Sequence, residues 1–130
     1  MSKYFIKLSY IIIFILGSLL SRIIISNDIP VGQLVDFTGP TSSVGKPFGQ
    51  GHIDAIKWIN KNGGINDRKI RLDTVDYSYK APRAVATYKR WKSRLKVITV
   101  IGWGTADTEA LMETIARDKI PFFSGSYAGQ

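Results

Sequence analysis

The chain has 130 residues and a formal net charge of +8, from eighteen lysines and arginines against ten aspartates and glutamates. At this length it forms one domain at most, with room for a single core. It has no cysteine and one histidine, His52, which excludes disulfides, thiolate metal sites and histidine clusters, so we expect no metal.

The first 26 residues have the pattern of a leader. Lys3 and Lys7 precede an uncharged run from Leu8 to Ser21, which is short for a membrane span but typical of a secretory signal peptide. No A-x-A cleavage pattern follows, so an uncleaved anchor is the alternative. We therefore expect residues 1–26 to engage the membrane during export, and residues 27–130 to form a periplasmic or otherwise extracytoplasmic domain.

The folded part begins with an apolar run over Ile29 to Val35, IPVGQLV, which is typical of a strand buried on both faces of a parallel sheet. A loop rich in Gly, Pro, Thr and Ser follows, from Thr38 to Gly45. Beyond it, an isoleucine at every third position predicts a helix near Phe48 to Asn62.

The pair Gly63-Gly64 ends that helix, because glycine adopts the left-handed C-cap conformation at little cost. Asn66-Asp67 continues the turn. Alternating apolar and polar residues then predict a second strand over Ile70 to Val75.

A second helix is predicted from Pro82 to about Leu95, with proline in its first turn and Ala81 as a poor N-cap. The segment is strongly basic, through Lys80, Arg83, Lys89, Arg90, Lys92, Arg94 and Lys96. Two interpretations compete: a patch for nucleic acid or another anionic surface, or the solvated face of one helix. An apolar stripe that includes Tyr88 and Trp91 occupies those aromatics in the core, so we favour the solvated face and expect no nucleic-acid partner.

The rest of the chain predicts a strand at Val97 to Ile101, a helix at Thr108 to Arg117 and a strand at Ile120 to Phe123. Strands alternating with helices predict an α/β fold with a doubly wound parallel sheet. In such sheets ligands bind beyond the carboxyl ends of the strands. We therefore expect the site in the loops after strands one, three and four, which are Asp36 to Gly45, Trp103 to Asp107, and Ser124 to Tyr127.

Five segments in register resemble type I periplasmic solute-binding proteins, in particular the branched-chain amino-acid-binding (Leu/Ile/Val-binding) group that serves ABC importers. They are VGQLVDFTGPTSSVG, DAIKWINKNGGINDRKIRL, the Asp76 segment with Pro82 and Ala84-Val85-Ala86, VITVIG, and IARDKIPFFS. The resemblance covers Ile29 to Gln130. It implies two α/β lobes that close on a small solute, of which this chain supplies the amino-terminal part of lobe one, so we expect a fragment.

The family binds the α-carboxylate and α-ammonium groups of an amino acid with hydroxyls and backbone N–H groups. The resemblance places these contacts in the loops after strands three and four, at Trp103, Thr105, Ala106, Asp107, Thr108, Ser124, Ser126 and Tyr127. Thr105 and Asp107 are equally candidates for the N-cap of the third helix. Trp103 either walls the ligand or closes the end of the sheet, and Ser126 and Tyr127 could simply fray at the terminus.

The resemblance implies a solute-binding component of an ABC importer that binds an amino acid or amide, needs no cofactor and is not an enzyme. Its partners would be the solute and the membrane subunits of the importer. A ligand-sensing receptor of the same fold is the alternative. A more remote one is a dinucleotide-binding enzyme, because Gly102 to Asp107 follows G-x-G-x-x-G except for its last residue.

Overall fold

The computed structural model describes residues 28–126, which form a single parallel sheet flanked by helices. The strands are β1 (Ile29–Val35), β2 (Ile70–Asp76), β3 (Thr99–Gly102) and β4 (Phe122–Ser124), and the helices are α1 (Ser42–Lys61), α2 (Ala81–Arg90) and α3 (Thr105–Asp118). A π-helical turn, Trp91–Leu95, extends α2. The predicted doubly wound α/β fold is confirmed, whereas the predicted leader lies outside the described residues. No helix within residues 28–126 is long and apolar enough to cross a membrane.

The strand order is β2-β1-β3-β4, and every pairing is parallel. The chain passes from β1 to one side for β2 and then to the other side for β3. The gap between β1 and β3 is therefore the topological switch point, and ligands of open parallel sheets bind at its carboxyl end.

The two faces of β1 pack differently. Leu34 faces the main core, which α2 and α3 close with Tyr88, Trp91, Leu111 and other apolar side chains. On the same face Gly32 lies under Trp91, since a Cβ added there would approach the indole to 2.5 Å. The aromatic stripe predicted for α2 is therefore in the core, as expected.

The opposite face of β1 carries α1 at unusually close range. A Cβ on Gly45 would lie 2.4 Å from the Asp36 carbonyl, and one on Gly49 would lie 2.6 Å from Val35. These glycines belong to α1, which begins at Ser42, six residues before the predicted start at Phe48. Gly45, which the sequence placed in a loop, instead permits the helix and strand backbones to touch.

Four other boundaries also differ from prediction. The N-cap of α2 is Lys80, so Ala81 is the first helical residue, and α3 begins at Thr105, three residues before the predicted Thr108. Its N-cap, Gly104, is extended backbone with φ −148°. Strands β3 and β4 each begin two residues later than predicted.

The turn between α1 and β2 is confirmed. Gly63 and Gly64 have φ of 106° and 85°, in the left-handed region, and Asn62 is the C-cap of α1. Asn66 and Asp67 are also left-handed, with φ of 49° and 61°, which is the geometry of a tight type I′ turn.

Candidate functional site

Three aspartates organise the carboxyl edge of the sheet, and the first is Asp36, directly after β1. Its carboxylate is fully buried and accepts hydrogen bonds from the Gly39 N–H, the Thr41 N–H and the Thr41 hydroxyl, the last at 2.6 Å. These bonds fold the β1 loop back onto the strand end. The loop thereby presents Thr41 beside the switch point.

The second is Asp76, the last residue of β2. It accepts hydrogen bonds from the Phe37 N–H, the Thr38 hydroxyl and the Ser78 N–H, at 3.0, 2.6 and 2.9 Å. Burial alone would raise the pKa of this carboxyl, but these bonds, led by the one from Thr38, outweigh burial and lower it. Asp76 thus ties the β1 and β2 loops together as a carboxylate.

The third is Asp107, in the first turn of α3. Its buried carboxylate accepts the Trp103 N–H at 2.9 Å, the Gly104 N–H at 2.8 Å and the Tyr77 hydroxyl at 2.6 Å. Burial and this hydrogen bond together raise the pKa of the Tyr77 phenol far above its ordinary value, so Tyr77 stays a donor. Asp107 therefore caps its own loop.

A pocket of about 220 Å³ opens at this edge. It is lined by Thr41, Tyr79, Trp103, Gly104, Thr105, Gly125 and Ser126, which come from the loops after all four strands. The lining therefore combines four hydroxyl groups and an indole, and none of these seven residues is charged. Such a surface suits a small polar solute with one apolar part.

The residues that the sequence predicted for the site separate into two layers. Trp103, Thr105 and Ser126 line the pocket, and the hydroxyls of Thr105 and Ser126 are 3.3 Å apart. Ala106, Asp107, Thr108 and Ser124 are not among the lining residues. The Thr108 and Ser124 hydroxyls are 2.8 Å apart, and Ser124 accepts the Ser126 N–H, so this pair supports the wall. Tyr127 lies outside the described residues.

Helix α3 begins in the pocket wall with a cap that has no side chain. Gly104 and Thr105 both line the pocket. Gly104 is the N-cap, and it has no side chain that could accept hydrogen bonds from the N–H groups of the first turn. Asp107 accepts the N–H groups that precede the helix and leaves those of the first turn to other partners. A helix start of this kind favours a carboxylate through its N–H groups and positive dipole end.

Trp103 is held in place from two sides. Its indole N–H donates to the Thr41 hydroxyl at 2.8 Å, and its ring packs on Phe48 with centroids 4.9 Å apart. Because Thr41 is itself bound to the Asp36 carboxylate, the wall of the pocket is one hydrogen bond away from a buried charge. The indole therefore both walls the pocket and closes the sheet.

Thr41 and Tyr79 also line the pocket. Thr41 lies in the predicted loop Asp36 to Gly45 but was not singled out, and Tyr79 lies outside the predicted loops. Tyr79 follows β2, whose loop the prediction left out, and it reaches the site because Ser78 and Tyr79 are both left-handed, with φ of 53° and 59°. Its ring also contacts Gly104, where a Cβ would lie 2.7 Å from Tyr79. An aspartate directly after an apolar strand, as at Asp36 and Asp76, was the available signal for an organised loop.

The dinucleotide alternative fails at the position of the third glycine. The Asp107 side chain occupies that part of the loop and takes the N–H groups of Trp103 and Gly104, which a pyrophosphate would otherwise require. The turn follows β3, whereas the dinucleotide fingerprint follows the first strand. Within the described residues, no group of three or more His, Asp or Glu side chains could hold a metal ion.

Comparison with known proteins agrees with this geometry. The family model for periplasmic binding proteins matches residues 28–130. A protein from Pseudomonas aeruginosa described as an amino acid binding protein is 35% identical over 75 residues, which cover 58% of this chain and 20% of that protein. This chain therefore spans about a fifth of the length of its relative.

Solved structures share the fold. An ABC transporter substrate binding protein from Aeropyrum pernix superposes with a TM-score of 0.72 at 43% identity, over 77% of this chain and 27% of that one. The branched-chain amino acid transporter substrate binding protein LivJ from Streptococcus pneumoniae, in complex with isoleucine, gives 0.71 at 23% identity over 77% of this chain and 29% of that one. The second likeness concerns the fold alone.

Proposed function

The chain belongs to the periplasmic binding protein family, and from that premise we propose that it is part of the extracytoplasmic solute-binding component of an ABC importer. Its partners would be a small solute and the membrane subunits of the importer. The family and fold are those of substrate-binding proteins rather than enzymes. The carboxyl edge of this lobe would form one side of the cleft and receive the solute, and closure of a second lobe would complete the site.

We propose an amino acid or amide as the solute. The observation that carries this is the start of α3 in the pocket wall, with a glycine cap and the Thr105 hydroxyl beside it. The first-turn N–H groups of α3 and the hydroxyls of Thr105 and Ser126 would bind the carboxylate or carbonyl oxygen of the solute. Trp103 would contact its apolar side chain. The description of the Pseudomonas relative as an amino acid binding protein is consistent with this class.

The buried carboxylates of Asp36 and Asp107 indicate which class of solute the pocket prefers. Asp36 and Asp107 each lie one hydrogen bond behind the pocket wall, through Thr41 and through the N–H of Gly104. They place negative charge behind a site that offers donors to an anion. A simple carboxylic acid would be repelled, whereas the ammonium group of an amino acid would offset that repulsion. We therefore expect amino acids to bind better than the corresponding acids.

The test compares leucine with three analogues, each of which changes one end of the molecule: leucinamide, isocaproate and isoamylamine. Saturation-transfer NMR with the full 130-residue chain suits weak binding, since one lobe contacts one side of a ligand and a Kd on the order of 1 mM is expected. Leucine and leucinamide should receive saturation, isocaproate less, and isoamylamine least because it has no carbonyl oxygen. Equal signals from all four compounds would contradict the proposal.

Variants at Thr105 localise the signal. Thr105→Ala removes a hydroxyl of the pocket, and we expect a several-fold weaker leucine signal, because one neutral hydrogen bond contributes about 1 kcal/mol. Thr105→Ser keeps the hydroxyl and should bind as the parent does. Ser43→Ala, at an exposed serine in the first turn of α1, is the matched control outside the pocket. A loss in the control as large as that in Thr105→Ala would place the solute elsewhere.

A further inference from the structure

The amino edge of the sheet carries most of the positive charge of the described chain. We define this edge as Asp28, the loops that lead into β2, β3 and β4, the first two residues of every strand, and the last four residues of α1, of α3 and of the π-extended α2. Its cationic side chains are Lys61, Arg68, Lys69, Arg71, Lys92, Arg94, Lys96, Arg117 and Lys119, and its acidic ones are Asp28, Asp67 and Asp118.

The charge is therefore strongly polarised. Nine cationic and three acidic side chains give the amino edge a formal charge of +6, whereas the remaining six cationic and seven acidic side chains of residues 28–126 give −1. Contacts hold parts of the edge together: the Arg71 guanidinium donates to the Leu95 carbonyl at 3.3 Å, and Lys92 pairs with Asp118. The positive residues thus share one end of the molecule.

Helix-dipole compensation explains only some of these cations. Lysine or arginine in the last turn of a helix is stabilised by the negative dipole end, which accounts for Lys61, Arg94 and Arg117. Lys96 and Lys119 are the C-cap residues of the π-helical turn and of α3, both exposed and both in the left-handed conformation, so the dipole accounts for them as well. Arg68, Lys69 and Arg71, just before β2 and at its start, lie outside the last turn of any helix.

Exposed apolar side chains accompany the charge. Six large apolar side chains are exposed in the described residues, and four of them, Trp58, Ile65, Ile98 and Phe123, lie at the amino edge. The Trp58 side chain is 67% exposed. Tryptophan is enriched at the interfaces between membrane and water. Cations interleaved with tryptophan and branched apolar residues are typical of surfaces that bind anionic lipid.

The path of the chain points to the same partner. The uncharged run Leu8 to Ser21 ends only seven residues before Ile29, the first residue of β1. Seven residues span at most about 25 Å when fully extended. When the leader stays uncleaved as an anchor, the edge at which β1 begins is held near the bilayer that this run contacts.

We propose that the amino edge is a membrane-facing surface, which lies against the anionic headgroups of a lipid bilayer while the carboxyl edge points away from it. Attraction between the cations and the lipid phosphates orients the domain, and Trp58, Ile65, Ile98 and Phe123 enter the headgroup layer. The proposal goes beyond solute binding and does not depend on which solute occupies the pocket.

The test measures which end of the domain approaches the lipid. The chain has no cysteine, so Ser93→Cys, at the amino edge, and Ser43→Cys, at the carboxyl edge, give single labelling sites at two exposed serines. The full chain is reconstituted in vesicles of phosphatidylglycerol and phosphatidylcholine that contain a headgroup-attached quencher. We expect a fluorophore at position 93 to be quenched at least threefold more than one at position 43.

The dependence of quenching on lipid charge and salt distinguishes electrostatic binding of the amino edge to the bilayer from simple tethering by the leader. The difference between the two labels should fall severalfold on pure phosphatidylcholine, and also in 1 M salt, where the Debye length falls to about 3 Å. Equal quenching of both labels on the anionic vesicles, or a difference that is insensitive to salt and lipid charge, would overturn the proposal.

Matched triple variants provide the control. The first triple variant combines Arg94→Gln, Lys96→Gln and Lys119→Gln. It should lower the equilibrium constant for binding of the amino edge to the bilayer about a hundredfold, since each cation near an anionic surface contributes about fivefold. Lys46→Gln, Lys57→Gln and Lys80→Gln remove the same charge from exposed lysines elsewhere and should leave the difference intact. If both triples act alike, or if duplex DNA binds the parent in preference to the anionic vesicles, the surface does not serve a membrane.

Discussion

The carboxyl and amino edges belong to the same four strands, yet they handle charge in opposite ways. At the carboxyl edge, Asp36 and Asp107 are fully buried and are satisfied by backbone N–H and hydroxyl donors. At the amino edge, cations such as Lys96 and Lys119 are exposed to solvent. One edge uses charge internally to shape loops, and the other presents charge to its surroundings.

This difference shows why the carboxyl edge can recognise a small solute. A buried carboxylate that accepts several hydrogen bonds fixes its loop, because moving the loop would leave that charge unpaired. The exposed cations of the amino edge impose no such geometry. Precise recognition of a solute therefore belongs to the first edge, and long-range attraction to a surface belongs to the second.

Replacement of Asp107 should give the largest effect. Asp107→Asn keeps the shape but turns one acceptor into a donor that faces the N–H group of either Trp103 or Gly104, so we expect a loss of about 3 kcal/mol in the free energy of unfolding. Urea denaturation measures it. Glu109→Gln, an exposed carboxylate on the same helix, is the control and should change stability by less than about 0.5 kcal/mol. Equal effects of the two variants would remove the distinction between buried and exposed charge.

The stabilisation that Asp76 gives to the carboxyl edge depends on pH. Its pKa is lowered in the folded state, so its stabilisation is present above the unfolded pKa of about 3.9 and is lost as the pH falls through the lower folded value. Asp76→Asn should therefore cost about 1 to 2 kcal/mol at pH 7 and almost nothing near pH 2. Denaturation midpoints of both proteins at the two pH values test this, and a cost that persists at pH 2 would contradict it.

The smallest effect is expected in the turn at the amino edge. Asp67 has φ 61°, and Asn-Gly is the preferred pair for this turn type, so Asp67→Gly should raise the free energy of unfolding by less than about 1 kcal/mol. Ser93→Gly, in the π-helical turn, is the control and should lower it by a similar amount. A destabilising Asp67→Gly would show that the aspartate makes a contact which the turn requires.

The sequence predicted the order of the elements, because apolar periodicity and the Gly63-Gly64 stop are local signals. It misplaced the start of α1, since only the approach of β1 reveals that Gly45 lies in a helix. Glycine reads locally as a helix breaker. Close packing between helix and strand overrides that propensity here.

Some of the predicted site residues line the pocket at the carboxyl edge, together with side chains that the sequence did not single out. Trp103, Thr105 and Ser126 lie in the loops selected by the rule for parallel sheets, and they line the pocket. Tyr79 enters from the β2 loop through two consecutive left-handed residues, which no propensity indicates for Ser and Tyr. Hydrogen bonds between distant loops determine that conformation, and local sequence patterns do not encode them.

The most direct test of solute binding at the carboxyl edge is a ¹⁵N-detected titration of the full chain with leucine. The account predicts that the backbone amide signals of Gly104, Thr105 and Ser126 shift, while those of Asn66, Lys96 and Lys119 at the amino edge stay in place. Shifts confined to the amino edge, or spread evenly over both edges, would contradict it.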